Sequence, residues 1–277
     1  MLISSEAAER TIYNEGMIFG ARSLALGGCT VADRKDLGTI YSNPAALALM
    51  SGDASISLSY NNQFAIEGWK EDKFAFAAKP WGRIRVGFLR NSNTAEVYEE
   101  AGVNLWTDTR LVSGIGLKVS ERMALGANYQ RLDYQLEVDN ENKKQSLNLI
   151  NMGCLYQGER LSWGLALHNW EPLNKNNPVA PTYRLGLDFH TRLVDYKVEV
   201  SNWETAVSEQ RQWSVRSGVE FAFAPGLVLR IGSTALDKTA NIALGLGISL
   251  KNIILDYSYT TPYKIQASHQ ISTTYYF

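Results

Sequence analysis

The chain has 277 residues, a formal net charge of −1 and only two cysteines, Cys29 and Cys154. This length suits one large all-β domain or two small ones, and the balanced charge argues against a nucleic-acid partner. Two cysteines cannot form a disulfide framework, and neither has the spacing of metal ligands. We therefore expect no metal and no cofactor.

The first ten residues, MLISSEAAER, lack the apolar core of a secretory signal, and no run of about 18 apolar residues predicts a transmembrane helix. If the protein is exported, we expect this sequence to be the mature chain without its signal peptide. The bulk composition, with 45% hydrophobic residues, would also fit a soluble protein. The class must therefore be decided from the order of the residues.

From about residue 53 onward, apolar and polar residues alternate with the period of a β-strand. In NIALGLGISL, the even positions from Ile242 to Leu250 are apolar, and the odd positions from Ala243 to Ser249 are small or polar. Such strands fit a soluble sandwich, whose apolar face forms the core, or a transmembrane barrel, whose apolar face contacts lipid.

The lengths of the connections separate these two models. We predict about 14 strands, at 53–61, 72–79, 83–91, 103–119, 122–138, 146–157, 160–168, 182–190, 193–202, 213–223, 226–233, 239–250, 252–260 and 266–277. Short connections such as SER and APG alternate with long ones such as NSNTAEVYEEAG and VDNENKKQ. An outer-membrane barrel has short periplasmic turns and longer external loops. The sequence therefore predicts an all-β, 14-stranded antiparallel transmembrane β-barrel over residues 51–277, surrounded by outer-membrane lipid.

Charged residues within the predicted strands fall on the polar face, and this face is predicted to line the lumen. The main candidates are Arg110, Arg184, Asp188, Glu199, Arg216, Glu220 and Arg230, and Arg83 lies on the same face. An Arg or Lys facing lipid would cost about 2–4 kcal/mol at the membrane midplane, which favours the inward position.

The seven tryptophans lie mostly near the ends of predicted strands. They are Trp69, Trp81, Trp106, Trp163, Trp170, Trp203 and Trp213. Aromatic girdles occupy such positions at the two membrane interfaces, and we favour this interpretation over contacts with a ligand.

No residue pattern indicates an enzyme. His168 and His190 end neighbouring antiparallel strands, so at about 3.3 Å per residue they lie at opposite ends of the barrel and cannot share a metal or a reaction. No Ser or Cys has the sequence context of a nucleophile. We expect a protein without catalytic residues and without a metal site.

The first 50 residues do not alternate and contain GARSLALGG, followed by VADRKDLGTIYSNPAAL. Gly27 and Gly28 predict a turn, and Asn43 with Pro44 predicts the capped start of a short helix over 45–50. This stretch resembles the N-terminal signature of the FadL-like outer-membrane β-barrel superfamily. It is most similar to the PorV/PorQ branch, which is associated with type IX protein secretion in Bacteroidetes. The matching positions are Gly20, Ala21, Arg22, Gly27, Gly28, Asp36, Ile40, Tyr41, Asn43, Pro44, Ala45 and Leu47.

The resemblance implies that residues 1–50 fold into the lumen as a hatch. Its motif residues are Gly27, Gly28, Asp36, Tyr41, Asn43, Pro44 and Ala45, and Arg10, Asp33 and Asp36 are candidate partners of the lumen charges. It also implies a location in the bacterial outer membrane. Tyr275 and Phe277 resemble the C-terminal signal that barrels present to the barrel-insertion machinery.

The resemblance leaves two functions open. In the PorV/PorQ branch, the barrel is a non-enzymatic scaffold or adaptor that holds other secretion-system or envelope proteins, here through loops such as 91–102 and 169–181. The alternative is a FadL-type channel that takes up a hydrophobic small molecule. A soluble β-sandwich that binds a ligand is a third, weaker hypothesis.

Overall fold

The alternating segments form a wall of 14 antiparallel strands in a computed structural model that describes residues 18–62, 69–99, 102–138, 141–170, 180–204, 211–236, 239–261 and 267–277. Each strand pairs with its neighbours in sequence, and β1 pairs with β14, so the sheet closes into a barrel. The strands are β1 Ala54–Asn62, β2 Trp69–Trp81, β3 Ile84–Glu99, β4 Gly102–Lys118, β5 Met123–Val138, β6 Glu141–Tyr156, β7 Leu161–Trp170, β8 Thr182–His190, β9 Val194–Glu204, β10 Arg211–Ala224, β11 Leu227–Leu236, β12 Thr239–Leu250, β13 Ile253–Thr261 and β14 Ser268–Tyr276. The predicted 14-stranded barrel is confirmed, and the sandwich is excluded.

The apolar residues of each strand point outward. Leu244 on β12 is 49% exposed and Leu185 on β8 is 45% exposed, whereas their neighbours Ala243 and Gly186 are buried. Exposed apolar side chains on the same face include Leu58, Phe76, Phe88, Ile115, Leu125, Leu165, Val198, Val215, Ile231, Ile242, Leu255 and Ile271. A barrel that is apolar outside and polar inside has the surface that a bilayer requires. Within the described residues, no helix has the length and apolar character needed to span a membrane.

Replacing Leu244 with arginine should block assembly of the barrel in a membrane, because a charge near the midplane costs about 2–4 kcal/mol. Ser249→Arg is the matched control, because Ser249 lies on the inward-facing register near the end of β12 and lines a cavity with Asp256. The amount of folded barrel, measured by heat-dependent migration in gels, should fall for Leu244→Arg alone. Equal amounts of both variants would contradict the assignment of the apolar face to lipid.

The connections differ between the two ends of the barrel. The turn end carries the short connections 82–83, 119–122, 157–160, 191–193, 225–226 and 251–252, and the loop end carries the others. At the loop end, three predicted loops are wrong. The ladder between β3 and β4 continues from Asn91–Arg110 to Glu99–Gly102, the ladder between β5 and β6 continues to Val138–Glu141, and the ladder between β11 and β12 continues to Leu236–Thr239. Backbone pairing needs no apolar side chains, so these polar segments remain strands. Residues 171–179 of the other candidate loop lie outside the described residues.

The closing strand ends at an exposed aromatic pair. Ser55 of β1 pairs with Tyr276 of β14, and the Phe277 amide donates to the Ala54 carbonyl oxygen at 3.0 Å. The Tyr275 and Phe277 rings meet edge to face, with centroids 4.8 Å apart, and both are exposed. Their role as an insertion signal stays a prediction.

Residues 18–50 form short helical turns rather than strands. They are α1 Ala21–Ala25, α2 Thr39–Ser42 and a 3-10 helix, Pro44–Leu49. Gly27 and Gly28 have φ values of 65° and 78°, which side chains with a Cβ rarely adopt, so both glycines are needed in the turn after α1. The Asn43 side chain accepts from the Ala45 amide at 3.2 Å and caps the 3-10 helix. The predicted helix therefore begins where expected but has 3-10 geometry.

Candidate functional site: the barrel lumen

Residues 18–50 contact inward-facing side chains around most of the barrel's circumference. Lys73 on β2 donates to the Ile18 carbonyl oxygen at 2.7 Å, and Gln270 on β14 donates to the Phe19 carbonyl oxygen at 2.6 Å. On other strands, Asn128 donates to the Ile40 carbonyl oxygen, His168 to Ser42 and Thr234 to Gly27. Buried carbonyl groups of an irregular segment must find donors, and the wall supplies them.

The motif Asn43-Pro44-Ala45 lies against inward-facing glycines. A Cβ atom on Gly126 would lie 2.6 Å from the Pro44 carbonyl oxygen, and one on Gly164 would lie 3.0 Å from Asn43 Nδ2. Asn43 Nδ2 also donates to the Val31 and Cys154 carbonyl oxygens, at 2.6 and 3.0 Å. Because Gly126 and Gly164 have no side chains, the motif can lie directly against the backbone of the wall.

Glu199 on β9 joins two arginines of the wall to the backbone of the N-terminal segment. Its Oε1 accepts from Arg184 Nε at 2.9 Å and from Arg216 Nη1 at 3.1 Å. Its Oε2 accepts from the Thr30 and Val31 amides, at 2.9 and 3.0 Å. Glu199 is only 1% exposed, so two positive charges depend on this one buried carboxylate.

A second ionic cluster centres on Glu220 of β10. Glu220 Oε2 accepts from Arg22 Nε of α1 at 2.9 Å and from Arg230 Nε of β11 at 2.8 Å. Arg230 Nη1 also donates to Asp256 Oδ1 at 2.7 Å, and Arg22 pairs with Asp33. The segment also supplies Lys35, whose Nζ lies 2.9 Å from Glu220 Oε1, so it contributes one arginine, one lysine and one aspartate to these ion pairs.

Burial acts differently on two ionisable groups of the N-terminal segment. Burial by itself raises the pKa of the Asp33 carboxyl, but Arg22 and Lys197 outweigh it and hold that pKa well below its usual value. Burial raises the pKa of the Cys29 thiol far above its usual value, so Cys29 stays protonated. Asp33 therefore acts as an anion in the ionic cluster, while Cys29 acts as a small buried side chain.

The structure places all seven main lumen candidates inside the barrel, at 8% exposure or less, as residues Arg110, Arg184, Asp188, Glu199, Arg216, Glu220 and Arg230. Arg110 is separate from both clusters and lies over the Tyr41 ring, 5.6 Å from its centroid. Asp36 accepts from Ser23 Oγ and from the Gly38 amide, so it stabilises its own segment.

Arg83 is exposed in the β2–β3 turn, and its predicted inward position is wrong because the strand has ended there. Arg10 lies outside the described residues.

The opposite side of the lumen, formed by β2–β4, is apolar where the N-terminal segment packs. Ile40, Leu47 and Phe19 of the segment form one buried cluster with Leu89 of β3 and Val112 of β4. Contacts between the segment and the wall are therefore mainly ionic at β9–β11 and mainly apolar at β3 and β4, where Arg110 adds a contact with the Tyr41 ring.

Beyond this cluster, toward the loop end, aromatic side chains line the inner wall. The Trp69 and Trp106 ring centroids are 5.4 Å apart, and those of Trp106 and Tyr134 are 6.3 Å apart. Leu132 and Leu147 form a buried pair on the same side of the wall. We call these five residues the aromatic patch.

The inward position of Trp69 and Trp106 contradicts their assignment to a lipid-facing girdle. Trp69 shares its face of β2 with Lys73, and Trp106 shares its face of β4 with Arg110. Residues an even number of positions apart in a strand lie on the same face, so this spacing was the sequence signal that could have placed both tryptophans in the lumen. Among the other tryptophans, Trp81, Trp170 and Trp213 are exposed on the outside, as the girdle interpretation requires.

The ladder of the wall is interrupted beside the aromatic patch. Pairing between β6 and β7 shifts between Met152–Leu167 and Ile150–Trp170, which leaves an extra residue on β7. Asn169 in this bulge has φ of 59°, and its amide donates to Asn151 Oδ1 at 2.8 Å. Between the bulge and the loop end, β6 residues 141–149 have no β7 partner among the described residues.

No protein-family model matches the chain, and no curated protein matches its sequence. Solved structures do match its fold. The toluene transporter TodX of Pseudomonas putida has a TM-score of 0.76 at 10% identity, over 95% of this chain and 99% of that one. The toluene transporter TbuX of Ralstonia pickettii has a TM-score of 0.71 at 12% identity, over 94% and 98%. A Pseudomonas aeruginosa FadL homologue has a TM-score of 0.71 at 10% identity, over 95% and 99%.

The fold is that of the FadL-type outer-membrane barrels. At 10–12% identity, the similarity concerns the path of the chain, and side chains must be argued from this structure alone.

Proposed function

We propose that the protein is a non-enzymatic FadL-type barrel of the bacterial outer membrane that takes up small hydrophobic molecules. The observation that carries the proposal is the aromatic patch, because apolar rings inside a barrel serve neither lipid contact nor the ionic clusters. Offset rings of this kind bind apolar and aromatic ligands well.

TodX and TbuX, whose folds match this one, are toluene transporters, and this supports the same ligand class. A planar hydrocarbon ring would pack against Trp106, between Trp69 and Tyr134. We further propose that the interrupted ladder between β6 and β7 offers such a ligand a path into the membrane. Leu147, a member of the aromatic patch, belongs to the part of β6 above this interruption.

We also propose that residues 1–50 act as a hatch that blocks the lumen, so that no continuous water-filled channel crosses the barrel. Support comes from the hydrogen bonds that the described part, residues 18–50, accepts from strands on several sides of the barrel. The ionic clusters around Glu199 and Glu220 further fix this part to the wall.

The adaptor function of the PorV/PorQ branch has less support. The N-terminal motif favours it by resemblance, but one of the two loops expected to hold partners, 91–102, is mostly strand. The aromatic patch has no evident role in an adaptor. We therefore favour uptake of a hydrophobic molecule.

Trp106→Ala should slow the uptake of radiolabelled toluene by cells that express this protein and lack other outer-membrane hydrocarbon transporters. A ligand ring packed on Trp106 would lose one aromatic contact worth about 1 kcal/mol, which should weaken its binding about fivefold. The matched control is Trp213→Ala, because Trp213 is 63% exposed on the outside of β10.

Equal barrel levels in the membrane must be shown for both variants. Uptake by Trp106→Ala at the wild-type rate would contradict the proposed ligand site. No saturable uptake by the wild type, together with a stable envelope partner after detergent extraction, would favour the adaptor instead.

A further inference from the structure

At the turn end of the barrel, three potential ligand residues converge away from the aromatic patch. Asp188 and His190 are two residues apart on the inward face of β8, and Asp195 of β9 pairs with His190 across the turn. One ligand atom from each of the three lies within 4.8 Å of the other two. His190 Nδ1 is 3.1 Å from Asp195 Oδ1 and 3.6 Å from Asp188 Oδ1.

These separations fit a bound transition-metal cation. Nitrogen and oxygen ligands at about 2.0–2.1 Å from a tetrahedral Zn²⁺ ion lie about 3.3 Å from each other. One imidazole and two carboxylates form a donor set that divalent zinc and its neighbours accept.

One of the donor atoms lacks any other role. Asp188 is 2% exposed, and its Oδ1 has no hydrogen-bond partner among the described residues. The other oxygen, Oδ2, pairs with Lys197, and Asp195 Oδ2 likewise pairs with Lys35 Nζ at 2.8 Å. The two lysines thus occupy the outer oxygens, and the inner oxygens remain directed at His190. A cation placed between these inner oxygens would contact both of them and His190 Nδ1.

The surroundings of His190 orient its ring for such a role. Its Nε2 lies 3.0 Å from Ser162 Oγ, which also accepts from Gln157 Nε2 at 2.8 Å. With Nδ1 bound to a cation, the ring proton is on Nε2, where Ser162 Oγ accepts it. Metal-bound histidines are usually held through their second nitrogen in this way.

We propose that Asp188, His190 and Asp195 bind one divalent transition-metal cation of the Zn²⁺ class. The site lines a cavity at the turn end, from which a cation can enter. The other charged residues that line it are Asp33, Arg34, Lys35, Glu121, Arg122 and Glu159. Three protein ligands leave a coordination position for water. This site is independent of the proposed uptake function.

The test is a titration of the metal-free, detergent-purified barrel with Zn²⁺ by calorimetry, and with Co²⁺ by visible absorption. The wild type should bind one equivalent and give the d–d bands of a low-coordinate Co²⁺ site. His190→Gln and Asp195→Asn should lose this binding. Ser162→Ala, which changes only the group behind the imidazole, should weaken it about tenfold.

His269→Gln is the matched control, because His269 is exposed on the outside of β14, beside the Tyr257 hydroxyl. Heat-dependent gel migration must show that each variant is folded. If His190→Gln fails to fold, Asp195→Asn and Ser162→Ala decide the question. The proposal is overturned if the wild type takes up no saturating equivalent. It is equally overturned if folded variants of the ligands bind as tightly as His269→Gln.

Discussion

Glu199→Gln should lower the free energy of unfolding of the barrel by about 3–5 kcal/mol, the cost of removing one partner from a buried ion cluster. The substitution keeps the size of the side chain but leaves Arg184 and Arg216 without their shared anion. It also weakens the acceptor for the Thr30 and Val31 amides. Urea titration of the protein in lipid vesicles, followed by tryptophan fluorescence, measures the change.

Glu159→Gln is the matched control for this prediction. Glu159 pairs with Arg122 at 2.7 Å, but both side chains are more than half exposed. Exposed ion pairs contribute little to stability, so the control should unfold at the wild-type urea concentration. If both variants behave alike, Glu199 does not hold the arginines in the way that the structure indicates.

Gly126→Val should turn an electrically silent barrel into a conducting one. A Cβ at this position would lie 2.6 Å from the Pro44 carbonyl oxygen, which belongs to backbone and cannot rotate away. The Asn43-Pro44-Ala45 motif must then move away from the wall, and the proposed hatch loses this contact with β5. Overpacking of this kind costs about 1–3 kcal/mol, which the barrel wall should survive. Single-channel recording in planar bilayers measures the outcome.

Gly82→Val provides the comparison, because a Cβ at Gly82 in the β2–β3 turn would meet nothing within 4 Å. This control should remain as silent as the wild type. A silent but folded Gly126→Val barrel would show that the motif does not close the lumen.

The wall of the barrel was predictable because alternation is a local property. Leu244 and Arg184 could be assigned to opposite faces from their own strands alone. The partners inside the lumen were not predictable in the same way. Glu199 contacts the Thr30 amide across 169 positions of sequence, and only the closed barrel brings them together.

Two features of the lumen were missed although the sequence carried signals for them. Trp69 and Trp106 share parity with charged inward residues, but their positions near strand ends favoured a girdle. Asp188, His190 and Asp195 lie on the two arms of one tight turn, where the pairing of β8 with β9 brings their side chains together. In both cases, the decisive information was which face two neighbouring strands share.

The division of the lumen into an ionic side and an apolar side also sets where the N-terminal segment can first come loose. Separating Arg22 from Glu220, or the Thr30 amide from Glu199, leaves a buried charge without its partner. Separating Ile40 from Leu89 exposes apolar side chains, which a hydrocarbon ligand can cover. If the proposed hatch opens, its apolar contacts with β3 and β4 should therefore separate before its ionic contacts with β9–β11. Because β4 also carries Trp106 of the aromatic patch, a bound hydrocarbon would cover apolar surface that such an opening exposes.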